Sequence, residues 1–92
     1  MLNLMEIQEK ISQLDNWNIE FNSIIKDFKF TNFTEAKSFI DKISQISEQQ
    51  AHFPTITWNN LIIRINLSTA SKNAITEADF TLAKEIDKIY KR

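Results

Sequence analysis

The order of hydrophobic patterns along the chain predicts an α+β fold, a two-layer sandwich in which helices cover one face of a four-stranded antiparallel sheet. Segments with apolar residues three and four positions apart, typical of helices, alternate with paired segments in which every second residue is apolar, typical of strands. The predicted order is helix, strand, strand, helix, strand, strand, helix. No linker or low-complexity tract interrupts the 92 residues, so we expect a single domain over 1–92.

The first half of the chain predicts a helix followed by a hairpin. A helix over about residues 3–14 presents one apolar stripe, formed by Leu4, Ile7, Ile11 and Leu14. After it, Trp17, Ile19 and Phe21 alternate with polar residues, which predicts a strand with one buried face and a turn at Asn22–Ser23. A second strand follows, in which Phe28 and Phe30 share a face.

The second half repeats this arrangement. Asn32 and Glu35 have the spacing of a capping box and begin a long helix, whose apolar stripe is Ala36, Phe39, Ile40, Ile43 and Ile46. Beyond Pro54, two strands flank a turn at Asn59–Asn60, and the second strand presents Leu61, Ile63, Ile65 and Leu67 on one face. A polar loop leads to the last helix, opened by Thr76 and Asp79 and lined by Leu82, Ala83, Ile86 and Ile89 or Tyr90.

The composition excludes several classes of function. Eleven basic and twelve acidic side chains leave almost no net charge, which argues against binding to nucleic acid or to an anionic membrane. Without cysteine and with one histidine, the chain offers neither thiolate nor paired imidazole ligands, so no metal site is expected. The sequence has no signal peptide and no apolar run of transmembrane length, which predicts a cytoplasmic protein.

The stretch from Glu48 to Pro54 contains the only histidine and the only proline of the chain. Because proline cannot continue a helix, His52 should lie where the long helix gives way to a strand. There its imidazole can act as a general acid or base, oriented by Glu48 one turn earlier. The alternative is structural: a histidine that caps the helix end, with Phe53 simply buried.

Other residues are further candidates for a binding site. The Ser68 and Thr69 hydroxyls, in the polar loop after the last strand, can donate hydrogen bonds to a polar ring. Asp79 can contribute to the same site or only cap its helix. Trp17 and Trp58 can stack on a planar ligand or pack in the core or at an interface. The chain has no glycine and therefore no glycine-rich phosphate loop or nucleophile elbow.

A set of residues spread along the chain has the order and spacing of a known family. These residues are Trp17, Phe28-Lys29-Phe30, Phe33, Ala36, Phe39, Glu48, His52, Pro54, Leu67-Ser68-Thr69, Thr76-Glu77, Asp79-Phe80, Leu82-Ala83 and Ile86-Asp87. Through them the sequence resembles the pterin-4a-carbinolamine dehydratases over nearly its whole length. The family signature is a glutamate, three residues, then His-His-Pro, followed after a hairpin by Ser-Thr-His or Thr-Thr-His and a helix that opens with Thr or Ser, Glu and later Asp.

The resemblance implies an activity and a site. Such enzymes eliminate water from a 4a-hydroxytetrahydropterin to give the quinonoid dihydropterin, without metal or cofactor. It implies that His52 and Glu48 are catalytic, and that the substrate-binding positions are Phe53, Pro54, Ser68, Thr69, Ala70 and Asp79. It also implies a homodimer formed by joining sheets, which can double to a homotetramer through the long helix. An apolar Ile62 on an otherwise polar strand face agrees with a subunit contact or is an ordinary exposed isoleucine.

Three departures from the signature bear on the activity. Phe53 occupies the position of the second histidine, Ala70 that of the third, and Asn60 stands where the family usually has tyrosine. A lost general acid or base costs about 10² to 10⁴ in rate, so His52 alone should give a slower enzyme. The alternative is a protein that binds pterins without converting them, or one that acts as a protein-interaction module.

Overall fold

The computed structural model describes residues 2–91, and these form three helices and four strands in the predicted order. Their bounds are α1 (Leu4–Ser12), β1 (Asn18–Glu20), β2 (Ser23–Lys29), α2 (Phe33–Gln50), β3 (Thr55–Asn59), β4 (Ile62–Leu67) and α3 (Glu77–Tyr90). A single 3₁₀ turn, Ala70–Lys72, lies in the loop between β4 and α3. The predicted α+β fold is confirmed.

The four strands form one antiparallel sheet in the order β1-β2-β4-β3. The central pair β2 and β4 runs in register from Ile24 opposite Leu67 to Lys29 opposite Ile62. The two hairpins therefore lie side by side, with their loops at opposite ends. We call these the Leu67 end, which holds the β1–β2 loop and the start of β3, and the Ile62 end, which holds the β3–β4 loop.

The core lies between one face of the sheet and the helices. Alternate sheet residues point into it, and the buried residues of α2 and α3 are largely those of the predicted stripes. The fully buried apolar side chains are Ile24, Phe28, Ala36, Ile43, Ile63, Ile65, Leu67, Leu82, Ala83 and Ile86. Removing this apolar surface from water is the main term that stabilises the fold. Within residues 2–91, no helix is both long and apolar enough to cross a membrane.

A buried polar cluster ties the sheet to α3. The Lys26 ammonium lies 2.8 Å from Asp87 Oδ1, and the Trp17 indole N–H donates to both Asp87 oxygens at 3.2 and 3.0 Å. Trp17 also packs edge to face on Phe28, with ring centroids 6.0 Å apart. The core interpretation of Trp17 is therefore correct. Trp58 is half exposed on β3, where its indole N–H donates to the Asn60 carbonyl.

The predicted boundaries of the first helix and strand are partly wrong. Leu4 is largely exposed, and α1 instead rests on the core through Ile7 and Ile11. The strand β1 covers only three residues, and Phe21 does not share a buried face with Trp17. It lies in the two-residue β1–β2 loop with φ of 57°, and its side chain is 95% exposed. A period-two pattern does not distinguish the last strand residue from the first turn residue, which is the reason for the error.

Candidate active site

The C-terminus of α2 places His52 at the Leu67 end of the sheet. After Gln50 the chain enters the left-handed region at Ala51, with φ of 53°. The Ala51 and His52 N–H groups then donate to the carbonyls of Glu48 and Ser47, at 3.3 and 3.1 Å. This is the hydrogen-bond pattern of a Schellman motif, in which glycine normally occupies the left-handed position. The chain has no glycine, so alanine takes that position here.

His52 forms a close pair with Asp79. The imidazole Nε2 lies 2.5 Å from Asp79 Oδ1, and the side chains are 14% and 0% exposed. The two residues come from the end of α2 and the first turn of α3, which packs beside it. A carboxylate with no access to water that contacts an imidazole fixes the orientation of the ring. Asp79 is therefore more than a helix cap.

Three donors converge on the Asp79 carboxylate. Besides the His52 ring, the Thr76 N–H donates to Oδ2 at 2.9 Å and the Thr69 hydroxyl donates to the same oxygen at 3.1 Å. The Thr76 hydroxyl lies 2.7 Å from that of Thr69, whose hydrogen is already committed to Asp79, so Thr76 is the donor in this contact. The buried carboxylate thus accepts hydrogen bonds both from a residue after β4 and from a residue at the start of α3, as a buried charge requires.

The loop that carries Thr69 is itself held in place. Thr69 and Ala74 exchange backbone hydrogen bonds across the 3₁₀ turn, at 2.9 and 3.4 Å. The Asn22 amide, in the β1–β2 loop, donates to Asn73 Oδ1 at 2.5 Å. Asn73 adopts the left-handed conformation that asparagine tolerates. Two neighbouring loops therefore support the hydroxyl that contacts Asp79.

The geometry determines which imidazole nitrogen is available for proton transfer. An ionised aspartate is only an acceptor, so the Nε2 that faces Asp79 carries the ring hydrogen. In the neutral imidazole the second nitrogen, Nδ1, then holds the lone pair and can accept a proton. A carboxylate that accepts from one imidazole nitrogen, and so leaves the lone pair on the other, is the arrangement of a general base with its positioning residue.

A cleft of about 590 Å³ lies beside this network. Thr69 and Thr76 line it, together with Leu2, Lys72, Glu77 and Ala78. Its volume falls within the range of small-molecule sites. Thr69 and Thr76, which hydrogen-bond Asp79, therefore also line this cleft, whereas His52 itself is not among its lining residues.

The predicted contact between Glu48 and His52 is wrong in this structure. Glu48 is exposed, and His52 Nε2 turns to Asp79 instead. The left-handed step at Ala51 is the physical reason, because it takes the chain off the helical path before His52. Residues four apart lie on one face only while the helix continues. A catalytic role for Glu48 through direct contact with a substrate stays a prediction.

The remaining predicted positions surround the network without joining it. Phe53 is 64% exposed, Pro54 precedes β3, Ser68 follows β4 and Ala70 is exposed in the 3₁₀ turn. Thr76 was not predicted as a site residue, although it hydrogen-bonds both Asp79 and Thr69. The signal for it was the capping-box spacing of Thr76 and Asp79, which indicates only a helix start when it is considered alone.

Comparison with known proteins decides the family. The model of the family described as pterin 4 alpha carbinolamine dehydratase matches residues 1–89. The chain belongs to the pterin-4a-carbinolamine dehydratase family. This is a family of hydro-lyases. Relatives provisionally named as such dehydratases include one from a strain of Prochlorococcus marinus, 43% identical over 97% of this chain and 93% of its own length. Another, from Sulfolobus acidocaldarius, is 39% identical over 91% of this chain and 92% of its own length.

Solved structures extend the comparison to the fold. The crystal structure of a transcriptional coactivator/pterin dehydratase from Brucella melitensis covers 97% of both chains, with a TM-score of 0.94 and 27% identity. A pterin dehydratase-like protein identified as a RuBisCO assembly factor in the alpha-carboxysome covers 80% of this chain and 86% of its own, with a TM-score of 0.67 and 21% identity. At that identity the second likeness concerns the fold alone.

Proposed function

We propose that this protein is a dehydratase of 4a-hydroxytetrahydropterins in which His52 alone moves the protons of the reaction. The observation that carries the proposal is the pairing of His52 Nε2 with the buried Asp79. The family membership supplies the reaction class, and the pair supplies a group able to perform it. Asp79 is the positioning residue, since it acts on the substrate only through the imidazole.

The reaction can be balanced on one histidine. His52 Nδ1 accepts the proton of the ring N–H, and the C–O bond to the 4a-hydroxyl breaks as the ring C=N bond forms. The imidazolium then gives the same proton to the departing hydroxide, so that water leaves and the histidine returns to its starting state. The substrate needs only to be placed so that the N–H and the hydroxyl both reach one nitrogen. A single group that must serve both the N–H and the hydroxyl lowers the rate, and this is why we expect slow turnover.

Stopped-flow decay of freshly generated 4a-hydroxytetrahydropterin tests the proposal. We expect the wild type to accelerate the decay and His52→Ala to lose about 10² or more of that acceleration. The matched control is Gln49→Ala, an exposed residue at the same helix end, which should keep the wild-type rate. A wild-type rate equal to the uncatalysed background, or one that survives in His52→Ala, would overturn the proposal.

Introducing histidines at the two positions that lack them tests the same site by a gain of activity. Phe53 and Ala70 are both exposed, so Phe53→His and Ala70→His are compatible with the fold. If the site is that of a dehydratase with two acid–base groups absent, the double variant should turn over faster by about 10². Glu48→Gln, measured in the same series, reports on direct contact of Glu48 with substrate.

The exposed ring of Phe53 favours a second candidate function, binding without turnover. A 64% exposed aromatic side chain next to His52 offers a flat surface on which a pterin ring can stack. In that case equilibrium titration with a dihydropterin should give saturable binding that Phe53→Ala weakens, while stopped flow gives no acceleration. The two measurements together separate the enzyme from the binding protein.

We also propose a homodimer formed by joining sheets through β3. This edge strand is five residues long and contains neither proline nor lysine, the residues that commonly protect free edges. The outer face of α2 carries the exposed Lys37–Asp41 ion pair, which disfavours a further helix interface. Light scattering should give twice the chain mass of 10.8 kDa. A mass of one chain at micromolar concentration would rule out the dimer.

A further inference from the structure

The Ile62 end of the sheet contains a second cleft, at the opposite end from His52. It has a volume of about 460 Å³ and lies where β2 ends, α2 begins and α3 ends. Its lining combines aromatic rings, hydroxyls and the Lys42 ammonium group, and consists of Lys29, Phe30, Thr31, Glu35, Ser38, Phe39, Lys42, Ile89 and Tyr90. We propose that this cleft is a binding site for a small aromatic carboxylate.

The aromatic part of the proposal rests on the walls of the cleft. The rings of Phe30 and Tyr90 meet edge to face with centroids 5.5 Å apart, and Phe39 lies 5.0 and 5.9 Å from them. The Tyr90 hydroxyl donates to the Lys29 carbonyl at 2.8 Å, which fixes this ring against the end of β2. Phe39 is buried, while Phe30 and Tyr90 keep part of their surface accessible. A flat ligand can therefore pack on rings that are already ordered.

The charge of the ligand follows from Lys42. Among residues 2–91, this ammonium group forms no ion pair with a carboxylate, whereas Lys10, Lys26, Lys37, Lys88 and Lys91 each do. The Lys29 side chain lies on the open face of the sheet with Asp27, and its carbonyl is the group that accepts from Tyr90. Glu35, the one acidic residue of the lining, already accepts a hydrogen bond from Thr31 at 2.8 Å, so Lys42 is the charged group of the cleft without a polar partner among the described residues. A monocarboxylate is the complementary ligand, and the Ser38 hydroxyl is a further donor for it.

This site does not depend on the proposed dehydratase activity. The lining of the Ile62-end cleft shares no residue with the cleft beside Thr69 and Thr76. His52→Ala should consequently bind the aromatic carboxylate as the wild type does. An experiment that disproves the binding site at the Ile62 end therefore leaves the dehydratase proposal intact, and the reverse also holds.

Titration with naphthoate, followed by ¹H–¹⁵N correlation spectra of the full chain, tests the inference. We expect saturable shifts of the Phe30, Ser38 and Tyr90 amides with a Kd of about 1 mM or tighter, typical of a ligand of this size. Naphthalenemethanol, which has the same rings without the charge, should bind about fivefold or more weakly. Absence of saturation, or shifts centred on His52, would overturn the proposal.

Two lysine variants of α2 provide the matched comparison. Lys42→Gln removes an ammonium group of the cleft and should weaken naphthoate binding by about threefold or more. Lys37→Gln removes an exposed ammonium group of the same helix outside the cleft and should leave the Kd unchanged. Both changes are at exposed positions, and the dispersion of the spectra verifies that each variant is folded. Equal affinities of the two variants would contradict the site.

Discussion

Different kinds of interaction stabilise the two ends of the sheet. At the Leu67 end, four hydrogen bonds link His52, Asp79, Thr69 and Thr76 around one buried carboxylate. At the Ile62 end, contacts between aromatic rings join Phe28, Phe30, Phe39 and Tyr90, with centroids 4.8 to 5.9 Å apart. Polar contacts of the first kind orient groups, whereas aromatic packing of the second kind mainly stabilises. Under the proposed function, the chemistry therefore lies at the Leu67 end, and most of the aromatic packing lies at the Ile62 end.

This separation makes the departures from the family signature understandable. Phe53 and Ala70, which stand where the resemblance places two histidines, are exposed, and neither belongs to the described core cluster. His52 and Asp79 are embedded in the network and contribute to the structure of both helix ends that meet there. Side chains at exposed positions can change with little effect on folding, whereas those in a buried network cannot. Phe53 and Ala70 are therefore positions at which the fold tolerates a change of side chain.

The largest effect on stability is expected at the Ile62 end. Phe28 is fully buried and contacts the rings of Trp17, Phe39 and Tyr90. Phe28→Ala should lower the free energy of unfolding by about 3 to 5 kcal/mol in urea titrations, because it leaves a cavity where three rings met. Phe33→Ala, at a 58% exposed phenylalanine, is the control and should change stability by less than about 0.5 kcal/mol. Similar losses in the free energy of unfolding for the two variants would mean that the aromatic cluster is not the main source of stability.

At the Leu67 end one substitution should affect stability and chemistry together. Asp79→Asn keeps the shape of the side chain but replaces one acceptor oxygen by a donor, so either the His52 ring at Oδ1 or the two donors at Oδ2, Thr69 and Thr76, lose their acceptor. We expect a loss of about 1 to 3 kcal/mol in the free energy of unfolding. Under the proposed mechanism, the dehydratase rate should fall as well because the ring is no longer oriented. Asp41→Asn, at an exposed ion pair, serves as control. An unchanged rate in Asp79→Asn would remove its role as a positioning residue.

The sequence predicted the elements at both ends better than the contacts between them. The stripes of α2 and α3 and the alternation in β4 identified most of the core, because each pattern depends only on the local period. The contact between His52 and Asp79 joins residues 27 positions apart, and no local pattern encodes such a contact. The expected Glu48 contact failed for a different, local reason: whether Glu48 and His52 share a face depended on the conformation of Ala51, a residue type that rarely adopts positive φ.

A smaller effect, of opposite sign, is expected from Ala51→Gly. Ala51 occupies the left-handed position of the α2 terminus with φ of 53°, a conformation that costs alanine about 1 to 2 kcal/mol relative to its right-handed form. Glycine avoids this cost, although it also gains freedom in the unfolded chain, so we expect a net stabilisation of about 0.5 to 1 kcal/mol. Thermal unfolding measures it. A lower Tm in Ala51→Gly would mean that the motif is not strained by alanine.

The smallest expected effect on stability arises on the open face of the sheet, between the two ends. This effect depends on pH. The Arg64 guanidinium donates to both Asp27 oxygens, at 2.7 and 3.1 Å, and chiefly through these hydrogen bonds it lowers the pKa of Asp27 below the ordinary 3.8. A lowered pKa means that the pair stabilises the folded state above the ordinary pKa, and that this contribution disappears as the pH falls through the lowered value. Both side chains are about half exposed, so solvent screens the pair.

Asp27→Asn should therefore reduce the Tm at neutral pH by less than about 3 °C, and the difference from the wild type should vanish as the pH falls through the lowered pKa of Asp27. Thermal unfolding of both proteins across this range measures the difference. The control is Asp15→Asn, at a more exposed ion pair near the chain ends. A difference that persists in acid would mean that the Asp27 side chain stabilises the sheet by packing and not by its charge. A large difference at neutral pH would place a substantial part of the stability on the open face, and the division of roles between the two ends would no longer describe the molecule.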